Sequence, residues 1–234
     1  MSKPVCVVTG VGPATGSALV KRFAAGGYQV AMLARDADRL GDLAKSVPDT
    51  HAFPCDVSDQ ATVDAAITAI EQKLGAPDVL VHNAVGGAFG SFMEIDPQVL
   101  NRNFQVNTMG LLYLARRMTP AMLAKGNGAV VVTGNTSALR GRANFAGFAP
   151  TKAAQRILAE AMARDLGPKG VHVAYIIIDA VIDTPMQRSG RFKDRADDFF
   201  IKPSAIAEEC FHVAHQDRSA WSFLVEIRPF HEPW

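Results

Sequence analysis

The sequence has few of the features that mark nucleic-acid-binding, exported or membrane proteins. In 234 residues the net charge is only +1, so a broad basic surface for nucleic acid is not expected. The most apolar stretch, VHVAYIII at 171–178, is far shorter than the roughly 20 residues of a membrane helix. No apolar leader precedes the first strand, and the three cysteines form no C-x-x-C pair. We therefore expect a cytoplasmic protein with reduced, buried cysteines that binds neither nucleic acid nor membrane.

Apolar runs of strand length alternate with longer helical patterns along the chain. Because these strands are apolar throughout rather than at every second residue, they are typical of a parallel sheet covered on both faces. The sequence predicts one α/β domain, residues 1–234, with a Rossmann-like doubly wound parallel sheet of about seven strands and helices on both faces. The predicted helices span 15–26, 36–46, 59–73, 97–124, 144–167 and 203–215.

Residues 179–202 lack a clean period and are rich in polar side chains. A connection of this length without regular structure is uncommon inside a compact domain and is often a lid or a binding segment. The alternative is a mobile surface loop.

A glycine-rich turn follows the first strand, T9-G10-V11-G12-P13-A14-T15-G16, and leads into a helix. Glycines let the backbone approach a pyrophosphate, and the positive end of the helix favours its charge. The strict G-x-G-x-x-G spacing fails at Thr15, so a turn without a ligand is the alternative.

The second strand ends at A34-R35-D36. An arginine at this point meets the 2′-phosphate of NADP, whereas a carboxylate binds the ribose hydroxyls of NAD. Arg35 therefore favours NADP, with NAD the weaker candidate. Asp36 is either the N-cap of the next helix or a competitor for the ribose, and Arg35 is alternatively a plain surface charge.

The whole chain resembles the short-chain dehydrogenase/reductase family, with T9-G10-x-x-x-A14-x-G16 in place of T-G-x-x-x-G-x-G. Further matches are D56-V57, N83-A84, N107 and K152. The resemblance implies that D56-V57 border the adenine, that N83-A84 lie near the ribose, and that 178–184 lies beside the nicotinamide. The cofactor-binding residues that it implies are Gly10, Gly12, Pro13, Thr15, Arg35, Asp56, Val57, Asn83, Ala84, Lys152, Ile182 and Thr184.

The family's chemistry uses an asparagine in the long helix, a serine after the fifth strand, and Tyr-x-x-x-Lys. Asn107 and Lys152 match, but Asn135 stands at the serine position and Phe148 at the tyrosine position. A phenylalanine cannot donate, accept or titrate a proton. Asn135 can still donate an N–H to a carbonyl oxygen, and Lys152 can donate through water if burial lowers its pKa. The nearby hydroxyls of Thr136, Ser137 and Thr151 are further candidates for the proton donor. Lys152 without the tyrosine fits ribose binding better than catalysis.

None of the tyrosines, Tyr28, Tyr113 and Tyr175, is expected to replace the missing phenol, because each lies in a strand or in the long helix. Two functions remain open. The first is an NADP-dependent oxidoreductase with an altered catalytic centre, reducing a carbonyl or an activated alkene. The second is a non-catalytic NADP(H)-binding sensor or scaffold, because a fold does not decide a function.

The histidines at 82, 212 and 215 are not expected to take part in chemistry. A metal site at His212 and His215 is disfavoured because the spacing lacks a second ligand pair. His82 is interpreted as a buried neutral histidine bonded to backbone.

The long helices 97–124 and 144–167 have apolar faces, and in resembling proteins such helices pair, which implies a homodimer or homotetramer. The alternative is that these faces are buried against the sheet alone.

Overall fold

The centre of the molecule is a seven-stranded sheet in which all strands run parallel. The computed structural model describes residues 3–232. The strand order is β3-β2-β1-β4-β5-β6-β9, so β1 lies where the order reverses. In such sheets ligands bind beyond the carboxyl ends of the strands at this point. The strands are β1 Val5–Thr9, β2 Gln29–Ala34, β3 Thr50–Pro54, β4 Val79–His82, β5 Gly128–Asn135, β6 Val171–Ile178 and β9 Leu224–Ile227.

Helices cover both faces of the sheet, as the continuous apolar strands predict. The helices are α1 Thr15–Ala25, α2 Ala37–Ser46, α3 Gln60–Leu74, α4 Pro97–Phe104, α5 Gly110–Lys125, α6 Ala149–Leu166, α7 Pro185–Ser189 and α8 Pro203–Ala214. One apolar core joins the sheet to α3, α5 and α6, and a second joins it to α1, α2 and α8. The predicted fold class is confirmed.

Two predicted helices differ from the structure in informative ways. The helix predicted over 97–124 is interrupted by a π-helical turn, Gln105–Met109, which joins α4 to α5. The helix predicted to begin at 144 begins at Ala149, because Asn144 has a positive φ of 65° and its carbonyl accepts from the Gly90 N–H at 2.9 Å. A π-helical turn like the one at Gln105–Met109 occurs often at a functional site.

Residues 179–202 contain more regular structure than their sequence indicated. Val181–Ile182 and Phe200–Ile201 form β7 and β8, a two-stranded parallel pair, and α7 lies between them. Arg188 ties the segment together because its guanidinium donates to both carboxylate oxygens of Asp183, at 2.7 and 2.9 Å, and also contacts Asp197. The prediction of a wholly irregular segment was therefore wrong.

From residue 3 to residue 232 no helix has the length and apolarity that spanning a bilayer requires.

Candidate active site

A groove of about 860 Å³ opens beyond the carboxyl ends of β1 to β4. It lies at the edge of the sheet where the reversal of strand order predicts a ligand. Of the residues predicted to bind a cofactor, half line this groove: Gly10, Gly12, Arg35, Asp56, Val57 and Ala84.

The glycine-rich turn forms one wall of the groove. Gly10 has a φ of +64°, and a Cβ there would lie 2.5 Å from the Ala84 Cα, so only glycine fits. A Cβ on Gly16 would lie 2.6 Å from the Gly10 carbonyl oxygen, so this glycine lets α1 pack against the turn. A Cβ on Gly12 would meet nothing within 4 Å. The groove is therefore open at Gly12, and a ligand can approach the protein backbone there.

The remaining predicted cofactor residues lie outside the lining of this groove. Pro13 lines a separate pocket of about 480 Å³ together with Asp183 and Pro185. Thr15 is buried at the first position of α1. Ile182 packs against the second apolar core, and the Thr184 hydroxyl caps α7 by accepting from the Gln187 N–H at 3.2 Å. Their roles toward a cofactor stay predictions.

Asn83 supports the glycine-rich turn through its side chain. The amide donates to the Gly10 carbonyl oxygen at 3.0 Å and accepts from the Thr133 hydroxyl at 3.1 Å. The side chain therefore holds the end of β4 against the turn after β1 and the strand β5.

Three arginines line the groove, Arg35, Arg39 and Arg102. The Asp36 carboxylate caps α2 by accepting from the Arg39 N–H at 3.0 Å, and it pairs with the Arg39 guanidinium at 2.7 Å. Of the two roles left open for Asp36, the N-cap is thus confirmed. Sequence reasoning missed Arg39 and Arg102, and Arg102 lies on α4 in a stretch without any motif.

Asp56 lies close to Arg35 at the same edge of the sheet. Partial burial acts to raise the pKa of Asp56, but hydrogen bonds from the Ser58 hydroxyl and N–H, together with the charge of Arg35, lower it overall. The hydroxyl donates at 2.7 Å and the N–H at 3.0 Å. Asp56 is therefore a carboxylate at neutral pH, and it is fixed by the chain that follows it.

Asn107 lies in the π-helical turn and is fully buried. Its amide donates to the Gly86 carbonyl oxygen at 2.7 Å and to the Thr151 hydroxyl at 2.8 Å, and it accepts from the Gly86 N–H at 2.9 Å. The side chain thus binds the loop after β4 to the start of α6. Its backbone carbonyl accepts from the Gln155 side-chain N–H at 2.7 Å.

Phe148 is the last residue before α6 and is only 7% exposed. Its ring packs against Gly87, because a Cβ added to Gly87 would lie 3.3 Å from a ring carbon. The centroids of the Phe148 and Phe89 rings are 6.2 Å apart. The loop that follows β4 therefore covers the phenylalanine and places it beside the rim of the groove.

Lys152 is 2% exposed and its amine is held by two acceptors. It donates to the Thr133 carbonyl oxygen at 3.1 Å and to the Gln155 side-chain oxygen. Burial lowers the pKa of Lys152 to about 7. The condition that sequence reasoning attached to a proton-donating lysine, a pKa lowered by burial, is therefore met.

Gln155 and Tyr175 complete this buried cluster, and sequence reasoning did not identify either as a site residue. The Tyr175 hydroxyl donates to the Gln155 oxygen at 3.1 Å and lies 3.4 Å from the Lys152 carbonyl oxygen. The side chain is fully buried, and burial raises the pKa of Tyr175. Tyr175 thus lies nearer to Lys152 than its place in a strand indicated. The available signal was Gln155, three residues after Lys152 and so on the same face of a helix.

His82, at the end of β4, faces the same cluster and is fully buried. Burial, and then the charge of Lys152, lowers the pKa of His82 to about 3, so the ring is neutral. The Thr9 hydroxyl accepts from two backbone N–H groups and therefore donates to Nδ1, at 3.2 Å. Nε2 makes no hydrogen bond of ordinary geometry among the residues that the structure describes, but the Asn107 backbone interacts with the ring and acts to raise its pKa. The prediction of a buried neutral ring agrees with the lowered pKa, and the ring interacts with a side chain as well as with the backbone.

Asn135 ends β5 beside the same edge of the sheet. Its Oδ1 accepts from the Ser137 N–H at 3.1 Å, so the carbonyl end of the amide faces its own chain. The NH₂ end is therefore the one that can donate to a ligand.

The two histidines weighed as metal ligands lie far from this cluster, on and after α8. His215 contacts the Tyr28 hydroxyl at 2.9 Å and the Phe211 carbonyl oxygen at 2.7 Å. Over the described range, 3–232, no three histidine, cysteine or acidic side chains are arranged to hold a metal ion.

The comparison with known proteins agrees with this geometry. A family model described as short chain dehydrogenase matches residues 4–194. This chain belongs to the short-chain dehydrogenase family. As a short-chain dehydrogenase it is assigned to the oxidoreductases.

The similarity to individual short-chain dehydrogenases extends over most of the chain. The 3-oxoacyl-(acyl-carrier-protein) reductase MabA of Mycobacterium bovis is 31% identical over 183 residues, 78% of this chain and 71% of that protein. A short-chain dehydrogenase structure from Rhodopseudomonas palustris is 28% identical with a TM-score of 0.83, covering 97% of this chain and 99% of that one. A metagenomic short-chain oxidoreductase in complex with NADP is 24% identical, with a TM-score of 0.84 and 97% coverage of both chains.

Proposed function

We propose that this short-chain dehydrogenase is an NADP-dependent oxidoreductase that reduces a carbonyl or an activated alkene at an altered catalytic centre. The altered centre lacks the family's tyrosine and serine, whose positions are taken by Phe148 and Asn135. The observation that carries the proposal is the buried Lys152 amine, whose pKa of about 7 suits proton transfer at neutral pH.

The groove supports a dinucleotide cofactor. Its volume of about 860 Å³, the open face at Gly12 and the adjacent N-terminus of α1 fit a pyrophosphate and the groups attached to it. Arg35, Arg39 and Arg102 supply positive charge on the same lining, and a similar oxidoreductase was solved with NADP. Bound NADPH would supply the hydride, and the residues of this chain would bind the cofactor and handle the proton.

The substitution Arg35→Ser is expected to weaken NADPH binding about 10- to 100-fold and to leave NADH binding unchanged. A hydrogen bond to a charged group contributes about 1.5–3 kcal/mol, and only NADPH carries the 2′-phosphate. Fluorescence titration with both nucleotides measures the effect. Arg164→Ser, which removes an exposed arginine on α6, is the matched control. An equal loss for both nucleotides, or a wild-type preference for NADH, would contradict the role of Arg35.

In the proposed reduction Lys152 takes over the proton step. The ammonium gives one proton, through a water molecule, to the substrate oxygen as that oxygen gains charge, and the amine that remains is neutral and regains its proton from solvent. Asn135 orients the oxygen with its NH₂ end, because Oδ1 is bonded to Ser137. Asn107 positions the start of α6 through Thr151.

The function is tested by following NADPH oxidation with a panel of aldehydes, ketones and enones across pH. For reduction, kcat is expected to be constant below about pH 7 and to fall about tenfold for each pH unit above it, because only the protonated amine donates. Tight NADPH binding without turnover on any member of the panel would instead identify a non-catalytic sensor or scaffold.

We also infer that the protein acts in the cytoplasm as a homodimer or homotetramer, with small molecules and the dinucleotide as its other partners. Leu114 of α5 is fully buried, and Leu158 and Met162 of α6 pack against the apolar core that joins the sheet to α3, α5 and α6. Ile157 of α6 is 54% exposed, so burial against the sheet does not account for it. The buried free thiols Cys6, Cys55 and Cys210 favour a reducing compartment.

A further inference from the structure

We propose that Gln155 is a positioning residue of the catalytic centre, which fixes the Lys152 amine against β5 and sets how readily that amine releases its proton. This inference rests on the proposed function in so far as Lys152 is the proton donor. It goes beyond that function because Gln155 would act only through the lysine.

The Gln155 amide is held by bonds at both of its ends. Nε2 donates to the Asn107 backbone carbonyl at 2.7 Å, and Oε1 accepts from the Lys152 amine and from the Tyr175 hydroxyl. A reversed amide would set NH₂ against an ammonium and oxygen against a carbonyl oxygen. The oxygen therefore has to face Lys152, and the π-helical turn, through its Asn107 carbonyl, fixes that orientation.

The oxygen of Gln155 favours the charged form of Lys152. A buried ammonium is costly unless acceptors surround it. Thr133 supplies one acceptor at 3.1 Å, and Gln155 supplies the other. Gln155 is itself fully buried, so in the folded protein the lysine is held by these two protein acceptors.

Tyr175 limits how strongly Gln155 supports the lysine. Its hydroxyl donates to the same oxygen that accepts from Lys152, so the two donors share one acceptor. The ring has room there because a Cβ on Gly134 would lie 2.0 Å from a Tyr175 ring carbon. The glycine in β5 and the tyrosine in β6 are therefore a matched pair that brings the hydroxyl to Gln155.

Few titratable groups face the lysine from the elements packed around it. His82 of β4 is neutral, and Tyr175 of β6 keeps its proton. Strand β5 and the π-helical turn contain no charged residue. On the neighbouring helices, Arg102 lines the groove, Arg156 pairs with Glu160, Arg117 pairs with Asp64 and Glu71, and Arg116 and Lys125 are exposed.

The test measures the Lys152 pKa directly, by NMR of a labelled ε-carbon in the full chain, in the wild-type protein and four variants. Gln155→Glu is expected to raise the pKa by at least about one unit, because an opposite charge within hydrogen-bond distance favours the ammonium. Gln155→Met, which keeps the length and removes the acceptor, is expected to lower it. Tyr175→Phe is expected to raise it slightly, because the lysine no longer shares the acceptor.

Gln72→Glu, an added charge at an exposed position on α3, is the control and should leave the Lys152 pKa unchanged. The same shifts should move the pH at which kcat falls, without a matching change in KM for NADPH. An unchanged Lys152 pKa in both Gln155→Met and Tyr175→Phe would overturn the inference, even if Gln155→Glu fails to fold. The NMR titration needs no turnover, so an inactive protein whose lysine pKa shifts as expected would contradict the proposed function alone.

Discussion

The double variant Phe148→Tyr with Asn135→Ser is expected to reduce carbonyl substrates about 10- to 100-fold faster than the wild-type protein. A general acid typically contributes about 10²- to 10⁴-fold, and the variant places a phenol and a hydroxyl where the family resemblance puts them. The expected gain lies at or below the lower end of this range because Lys152, which would tune the phenol, remains held by Gln155. Steady-state NADPH oxidation with the best substrate of the panel measures it.

The control for this variant is Phe145→Tyr, which adds a phenol three residues earlier in the same turn. The Phe145 ring packs edge-on against Phe89 with the ring centroids 5.1 Å apart, so Phe145 and Phe148 share a neighbouring ring. Thermal unfolding should show that each variant is folded, since a buried hydroxyl without a partner costs about 1–3 kcal/mol. A gain in Phe145→Tyr, or no gain in a folded double variant, would show that Phe148 does not occupy the proton donor's position.

The sheet and the cofactor side of the groove were predictable because their signals are local. The continuous apolar strands indicated that both faces of the sheet are buried, and Gly10 indicated a tight turn. The structure leaves no room for a Cβ at Gly10. Arg35 was found because it directly follows a strand that ends at the groove. In each case neighbouring residues in the sequence carry the information.

The lysine cluster could not be predicted because it joins residues that are far apart in sequence. Gln155 contacts Asn107, 48 positions away, and Tyr175, 20 positions away. The contact with Asn107 depends on the π-helical turn, which no periodic pattern indicates. The delayed start of α6 likewise depends on pairing between Gly90 and Asn144, 54 positions apart, which no local propensity encodes.

The pH dependence of stability gives a second large effect, one that needs neither cofactor nor substrate. Lys152 has an ordinary pKa of 10.5 when unfolded and about 7 when buried. Between these values the unfolded chain holds a proton that the folded protein lacks, so the free energy of unfolding rises with pH. We expect the wild-type protein to gain about 1.4 kcal/mol for each pH unit between about 7 and 10, relative to Lys152→Met.

Urea unfolding of both proteins at pH 7, 8 and 9 measures this difference, and every other titrating group cancels between them. Lys169→Met, which removes a lysine 54% exposed at its side chain, is the control and should follow the wild-type curve. Parallel curves for wild type and Lys152→Met would mean that the folded protein keeps the ammonium charged throughout this range. Lys152 would then hold its proton too tightly to serve as the acid, and a donor other than the buried amine would be required.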